Sequence, residues 1–60
     1  MAKVEFQVWI KTHNGPEYWL VVAYGTKKFC IEKYAQYKEI PSIKEIQLVR
    51  KENGKKTIIA

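Results

Sequence analysis

Val4 to Tyr24 reads VEFQVWIKTHNGPEYWLVVAY, two strand-forming runs on either side of an Asn-Gly pair. From Lys3 to Lys11 the residues alternate: Val4, Phe6, Val8 and Ile10 point one way, and Lys3, Glu5, Gln7, Trp9 and Lys11 the other. A period of two is that of a half-buried antiparallel strand. Trp9 is the exception, a large apolar side chain on the polar face. Asn14-Gly15 supplies residues that accept the positive φ of a two-residue hairpin turn, which His13 and Pro16 would close.

The returning run, Tyr18 to Tyr24, differs in kind, because Trp19, Leu20, Val21, Val22 and Ala23 leave neither face polar. A strand of that composition is normally covered on both sides. Two registers are open. With Ile10 opposite Trp19 and Val8 opposite Val21, Trp9 faces Leu20 on the outside. A shift of one residue instead puts Tyr18, Leu20, Val22 and Tyr24 inside, and Trp19, Val21 and Ala23 outside with Trp9. Both registers leave an outer apolar patch centred on Trp9.

Outward from this hairpin (residues 3–25), Gly25 breaks the strand and Thr26 can cap a helix. Over residues 26–40, Cys30, Ile31, Tyr34, Tyr37 and Ala35 recur at spacings of three and four, a stripe that can lie on a sheet. Phe29 falls off the stripe and is expected over a sheet edge. Pro41 disfavours helical geometry at Ile40 and ends the element. Residues 43–51 read as a strand with Ile46 and Leu48 inward and Glu45, Gln47 and Val49 outward. A second Asn-Gly, Asn53-Gly54, allows a hairpin into a possible final strand over residues 55–59, the alternative being a frayed tail. The expected fold is α+β, an antiparallel sheet of ββαβ(β) order with one helix packed on one face. An all-β arrangement would make Phe29 to Tyr34 a strand, but EKYAQYKE, Glu32 to Glu39, is rich in helix formers and alternates poorly.

Sixty residues make a single small domain, 1–60, near the lower limit for a chain held by its core alone. Cys30 is the one cysteine, so no intrachain disulfide can help, and a lone thiol fits a reducing compartment. No run of eighteen apolar residues is present, so no membrane contact is expected and the cytoplasm is the expected location. The net charge of +5 falls entirely after Thr26, where nine basic residues face four glutamates. They alternate with those glutamates, as a solvated surface does, yet Lys27, Lys28, Arg50, Lys51, Lys55 and Lys56 are candidate contacts for an anion or nucleic acid.

Chemistry finds little support. One histidine, one cysteine, one serine and no aspartate do not assemble a triad, since His13 adjoins the turn and Cys30 lies on the inward stripe. Cys30 reads as a small core residue and His13 as a solvated turn residue. One Cys and one His do not make a zinc site. Gly54-Lys55-Lys56-Thr57 holds part of a phosphate-binding loop, but Val49 stands where its first glycine is needed. No enzyme, cofactor or metal is expected.

What remains is binding. Trp9, Trp19, Leu20, Val21 and Val22 are the candidate interface with a protein or a second copy, since Trp and Tyr anchor desolvated contacts. The alternative is a nucleic-acid-binding domain in which sheet aromatics stack on bases and lysines follow phosphates. The bland reading has Trp9 lying over the hairpin under lysine stems. The order of strand, Asn-Gly, aromatic strand, helix and a closing strand IKEIQLVR, from Val4 to Arg50, resembles the small phage-encoded inhibitors of host proteins, in outline those of uracil-DNA glycosylase. That resemblance implies a compact homodimeric inhibitor of a host protein, including the proteins of anti-phage defence, acting in the host cytoplasm. The glycosylase inhibitors are acidic mimics of DNA, whereas this chain is basic, so no functional residue carries over from them.

Overall fold

The computed structural model describes residues 4–60, so Lys3, the expected first residue of the hairpin, lies outside the described residues. The order is β1 (Val4–Thr12), β2 (Leu20–Gly25), α1 (Lys27–Lys38), β3 (Ile43–Glu52) and β4 (Lys55–Ile58). The four strands form one antiparallel sheet, β2-β1-β3-β4, with α1 across β2, β1 and β3 on one face. This is the α+β arrangement expected from the strand and helix periods, with the fourth strand formed. Backbone hydrogen bonds continue past β4: Ile59 N–H donates to Leu48 O (2.9 Å) and Leu48 N–H to Ala60 O (3.0 Å).

The first Asn-Gly does not make the expected two-residue turn. β1 and β2 are joined by seven residues, His13 to Trp19, and Asn14 and Gly15 do not take positive φ. The reason is Pro16. A two-residue turn over Asn14-Gly15 is closed by a hydrogen bond from the N–H of residue 16 to the carbonyl of His13, and proline has no N–H to give. His13 N–H donates instead to Ser42 O (3.0 Å), extending the β1–β3 ladder. Gly15 folds back on Thr12, whose Oγ1 would lie 2.0 Å from a Cβ at this position. Asn53-Gly54 meets no such obstacle. Asn53 (φ 50°) and Gly54 (φ 82°) both adopt positive φ, and Glu52 pairs with Lys55. Those are the values that favour Asn-Gly in a tight hairpin.

Neither expected register is adopted throughout, because a β-bulge divides β2. Ile10 pairs with Leu20 and Trp9 with Val21, but Val8 pairs with Ala23, which leaves Val22 as the extra residue. Leu20 and Val22 pack against the core, and Ala23 is buried in it. A bulge lets two successive residues turn the same way, which explains an apolar run without alternation. Leu20 and Val22 therefore serve the inner face, while Val21 and Tyr24 stand on the outer one, 51% and 68% exposed. Gly25 ends the strand, as expected, and is its last residue, paired with Phe6.

The core is Val8, Ile10, Ala23, Cys30 and Leu48, with Tyr34, Tyr37, Ile43 and Ile46 packed around it. Thr26 is the N-cap of α1, its Oγ1 accepting from Phe29 N–H (3.3 Å). The helix is shorter than residues 26–40: Glu39 caps it, and Ile40 N–H donates to Tyr37 O (3.0 Å). Its inward stripe is also narrower, for Cys30, Tyr34 and Tyr37 face the sheet while Ile31 and Ala35 are exposed. Phe29 lies beside Gly25 at the end of edge strand β2, as expected for a ring over a sheet edge.

Val8, on the inner strand β1 and fully buried, is expected to lose about 2 kcal/mol on Val8→Ala, whereas exposed Val21→Ala should cost under about 0.5 kcal/mol. Urea unfolding at unchanged m-value reads both. Equal losses at the two positions would contradict this division of the sheet into a packed and an open face.

Candidate functional site

One helix covers one face, so the other face of the sheet is open. Cross-strand partners share a face, and the register places Glu5, Gln7, Trp9 and Lys11 of β1 on it. Val21 and Tyr24 of β2, Glu45, Gln47, Val49 and Lys51 of β3, and Lys56 and Ile58 of β4 join them. Trp19, in the loop before β2, folds onto the same side. Its ring centroid lies 6.5 Å from that of Trp9, with the planes at 45°.

Trp9 is half-buried and tied down. Its Nε1–H donates to Gln7 Oε1 (2.7 Å), and Gln7 Nε2 donates to Glu5 Oε2 (3.5 Å). The Lys56 ammonium sits 5.0 Å from the Trp9 ring centroid, and that of Lys11 4.7 Å from the Trp19 ring. Trp9 belongs to β1 and Lys56 to β4, so their contact has to cross the intervening strand β3. Val49 is the β3 residue beneath that crossing, between Gln7 and Ile58 in the register. It is completely buried although it points away from the helix. The expectation that Val49 faces outward is right about direction and misses the cover; the missing signal was the β1–β3 pairing, which brings Trp9 within reach of Lys56 across Val49.

The five apolar candidates thus divide. Trp9, Trp19 and Val21 share the open face, whereas Leu20 and Val22 pack into the core. Tyr24 and Ile58 belong to the open face and were not among the expected contacts; the bulge at Val22 sets the side of Tyr24, and the pairing of β4 with β3 sets that of Ile58. The six basic candidates do not converge. Lys27 and Lys28 begin α1, Arg50 and Lys55 lie on the helix side of the sheet, and Lys51 and Lys56 lie on the open side. Arg50 Nη2 is engaged with Glu52 Oε2 at 2.7 Å. On the open face Lys11, Lys51 and Lys56 stand against Glu5 and Glu45, with Lys11 and Glu45 3.8 Å apart.

Groups able to carry chemistry are scattered. Cys30 is buried under the helix, its Sγ–H donating to Phe6 O (3.1 Å). Burial, and secondarily the Glu5 carboxylate, push its thiol above the usual range, the reverse of an activated nucleophile. Among the described residues no group of three or more His, Cys, Asp or Glu is gathered to hold a metal. No helix among them is long and apolar enough to cross a membrane. The sequence matches no family model, and neither a curated protein nor a solved structure is similar to it.

Two outcomes follow from this arrangement. Trp9→Ala uncovers Val49 and is expected to cost roughly 2 kcal/mol, and a double-mutant cycle with Lys56→Ala should return a coupling of about 0.5 kcal/mol. Zero coupling would mean that the lysine does not lie on the ring. The raised Cys30 pKa makes the unfolded chain lose the thiol proton first, so stability is full below the ordinary thiol pKa and falls as the pH rises through and beyond it. Urea midpoints across alkaline pH should show a fall that Cys30→Ala removes; an identical fall in both proteins would refute the assignment.

Proposed function

We propose that this chain is a non-enzymatic binding module that acts through protein–protein contact at the open face of its sheet. The observation that carries the reading is the group Trp9, Trp19, Val21, Tyr24 and Ile58 on a face that no element among the described residues covers. Aromatic rings held in place by neighbouring side chains lose little conformational freedom on binding, which is why they anchor interfaces. Charge on that face is mixed and close to balanced, as suits a protein surface. Most of the excess positive charge lies elsewhere, above all on α1, where Lys27, Lys28, Lys33 and Lys38 stand against Glu32. The order of elements shared with small phage-encoded inhibitors supports the class of an inhibitor or adaptor that works by occupying a host protein.

One observation favours the second reading, single-stranded nucleic acid on the same face: Lys11 and Lys56 stand directly over the two indole rings. These ammonium groups could follow phosphates, but in their present positions they occupy the ring faces on which bases would stack. The protein reading needs no such displacement at the rim, where Val21, Tyr24 and Ile58 are already exposed.

Affinity capture from bacterial lysate, with and without nuclease, compared with Trp9→Glu, separates the two. A nuclease-resistant protein partner that Trp9→Glu loses is the expected result. Recovery only through nucleic acid, with oligonucleotide binding that weakens steeply with salt, would replace the protein reading by the second one.

A further inference from the structure

We infer that the occupant of the open face is a second copy of this chain, packed sheet against sheet about a two-fold axis; this rests on the protein-contact reading and names its partner. The shape of the single chain is the first argument. Its extents are 40 × 22 × 15 Å, a slab two layers thick, and its radius of gyration is 11.6 Å where roughly 10.4 Å is usual for this length. Its accessible surface of 4552 Å² exceeds the roughly 4,100 Å² usual for a monomer of this size. The chain is flatter and more exposed than a self-sufficient domain. Stacking two such slabs through their sheets doubles the thin dimension and leaves α1 of each copy outside.

Charge agrees with that occupant, and area says how loosely it is held. The inner strands run nine and ten residues and the edge strands six and four, so at ~4.8 Å between strands and ~3.3 Å per residue the face covers roughly 460 Å², and a stacked pair would bury on the order of 900 Å² in total, the size of a weak, reversible contact. Trp9 lies on an inner strand near the middle of this face, where an anchor contributes most. A two-fold contact sets a surface against itself and fails where one sign of charge dominates. Here Glu5 pairs with Lys51 in register near one end and Lys11 with Glu45 near the other, so both ends carry both signs. Edge-to-edge pairing is the competing geometry, and both edges oppose it. The bulge at Val22 interrupts β2, and Lys55 and Lys56 lie along β4.

The test is sedimentation equilibrium of the full chain up to ~100 µM, a range suited to an interface of this size, with tryptophan emission followed over the same range. A dimer is expected, with emission moving to the blue as concentration rises. Trp9→Glu and Val21→Glu should both be monomeric, and Val21→Glu, at an exposed edge position, should keep the far-ultraviolet circular dichroism of the parent. A parent that stays monomeric with constant emission overturns the proposal, and so does a dimer that survives Val21→Glu in a folded chain. A monomer that captures a different protein through Trp9 overturns the self-association alone, whereas recovery only through nucleic acid overturns the reading beneath it.

Discussion

Everything in this fold depends on the antiparallel ladder between β1 and β3, which runs from Val4 opposite Glu52 to Thr12 opposite Ile43. It makes β1 an inner strand and puts Val8 and Leu48 side by side under the helix, and it holds β2 and β4 as the two edges. This ladder, flanked by β2 along Phe6 to Ile10 and by β4 along Val49 to Glu52, fixes the register of the alternating side chains on both inner strands. From that point the chain has two faces to cover and one helix with which to do it. The twelve residues of α1 lie on the inner face; the outer face must cover itself or be covered.

The outer face covers itself only in part. Trp9 bends back onto Gln7, meets Lys56 across β3, and seals Val49. Here the apolar stems of lysine and the plane of an indole act as a thin third layer. That layer stops short of the two edges, where Val21 and Tyr24 on β2 and Ile58 on β4 are left in water. Trp9 is thus a structural lid that also lies at the centre of the proposed contact surface. The basic residues that dominate the charge play no part in this layer apart from Lys11 and Lys56; Lys51 also stands on this face beside Glu5, and a face-to-face pair would carry most of the others on its outside.

Much of this was legible from periodicity. Alternation along β1, the helix formers of Glu32 to Glu39, the cap at Thr26 and the turn at Asn53-Gly54 all describe local physics that the tertiary structure leaves intact. The errors lie where a local signal met a second constraint. Asn14-Gly15 is a strong turn signal, but Pro16 removes the donor that would close it, and that was readable one residue further on. The bulge at Val22 was written as five successive apolar residues, Trp19 to Ala23, which no straight strand can place on one face. Ile31 and Ala35 satisfied helical spacing and are nonetheless exposed, because the side chains of α1 that pack into the core are those of Cys30, Tyr34 and Tyr37. The two hairpins set β2 beside β1 and β4 beside β3, but the β1–β3 pairing that joins them was not legible, since it depends on which edges meet, and with it went the burial of Val49.

Residue-resolved NMR of the full chain from dilute to concentrated solution tests most directly whether the uncovered face is where two copies meet. The account predicts concentration-dependent shifts at the indole N–H groups of Trp9 and Trp19 and the methyls of Val21 and Ile58, while Ile31 on the exposed side of α1 keeps its shifts. Shifts centred on α1 or along the outer edge of β4, or none at any concentration, would contradict it.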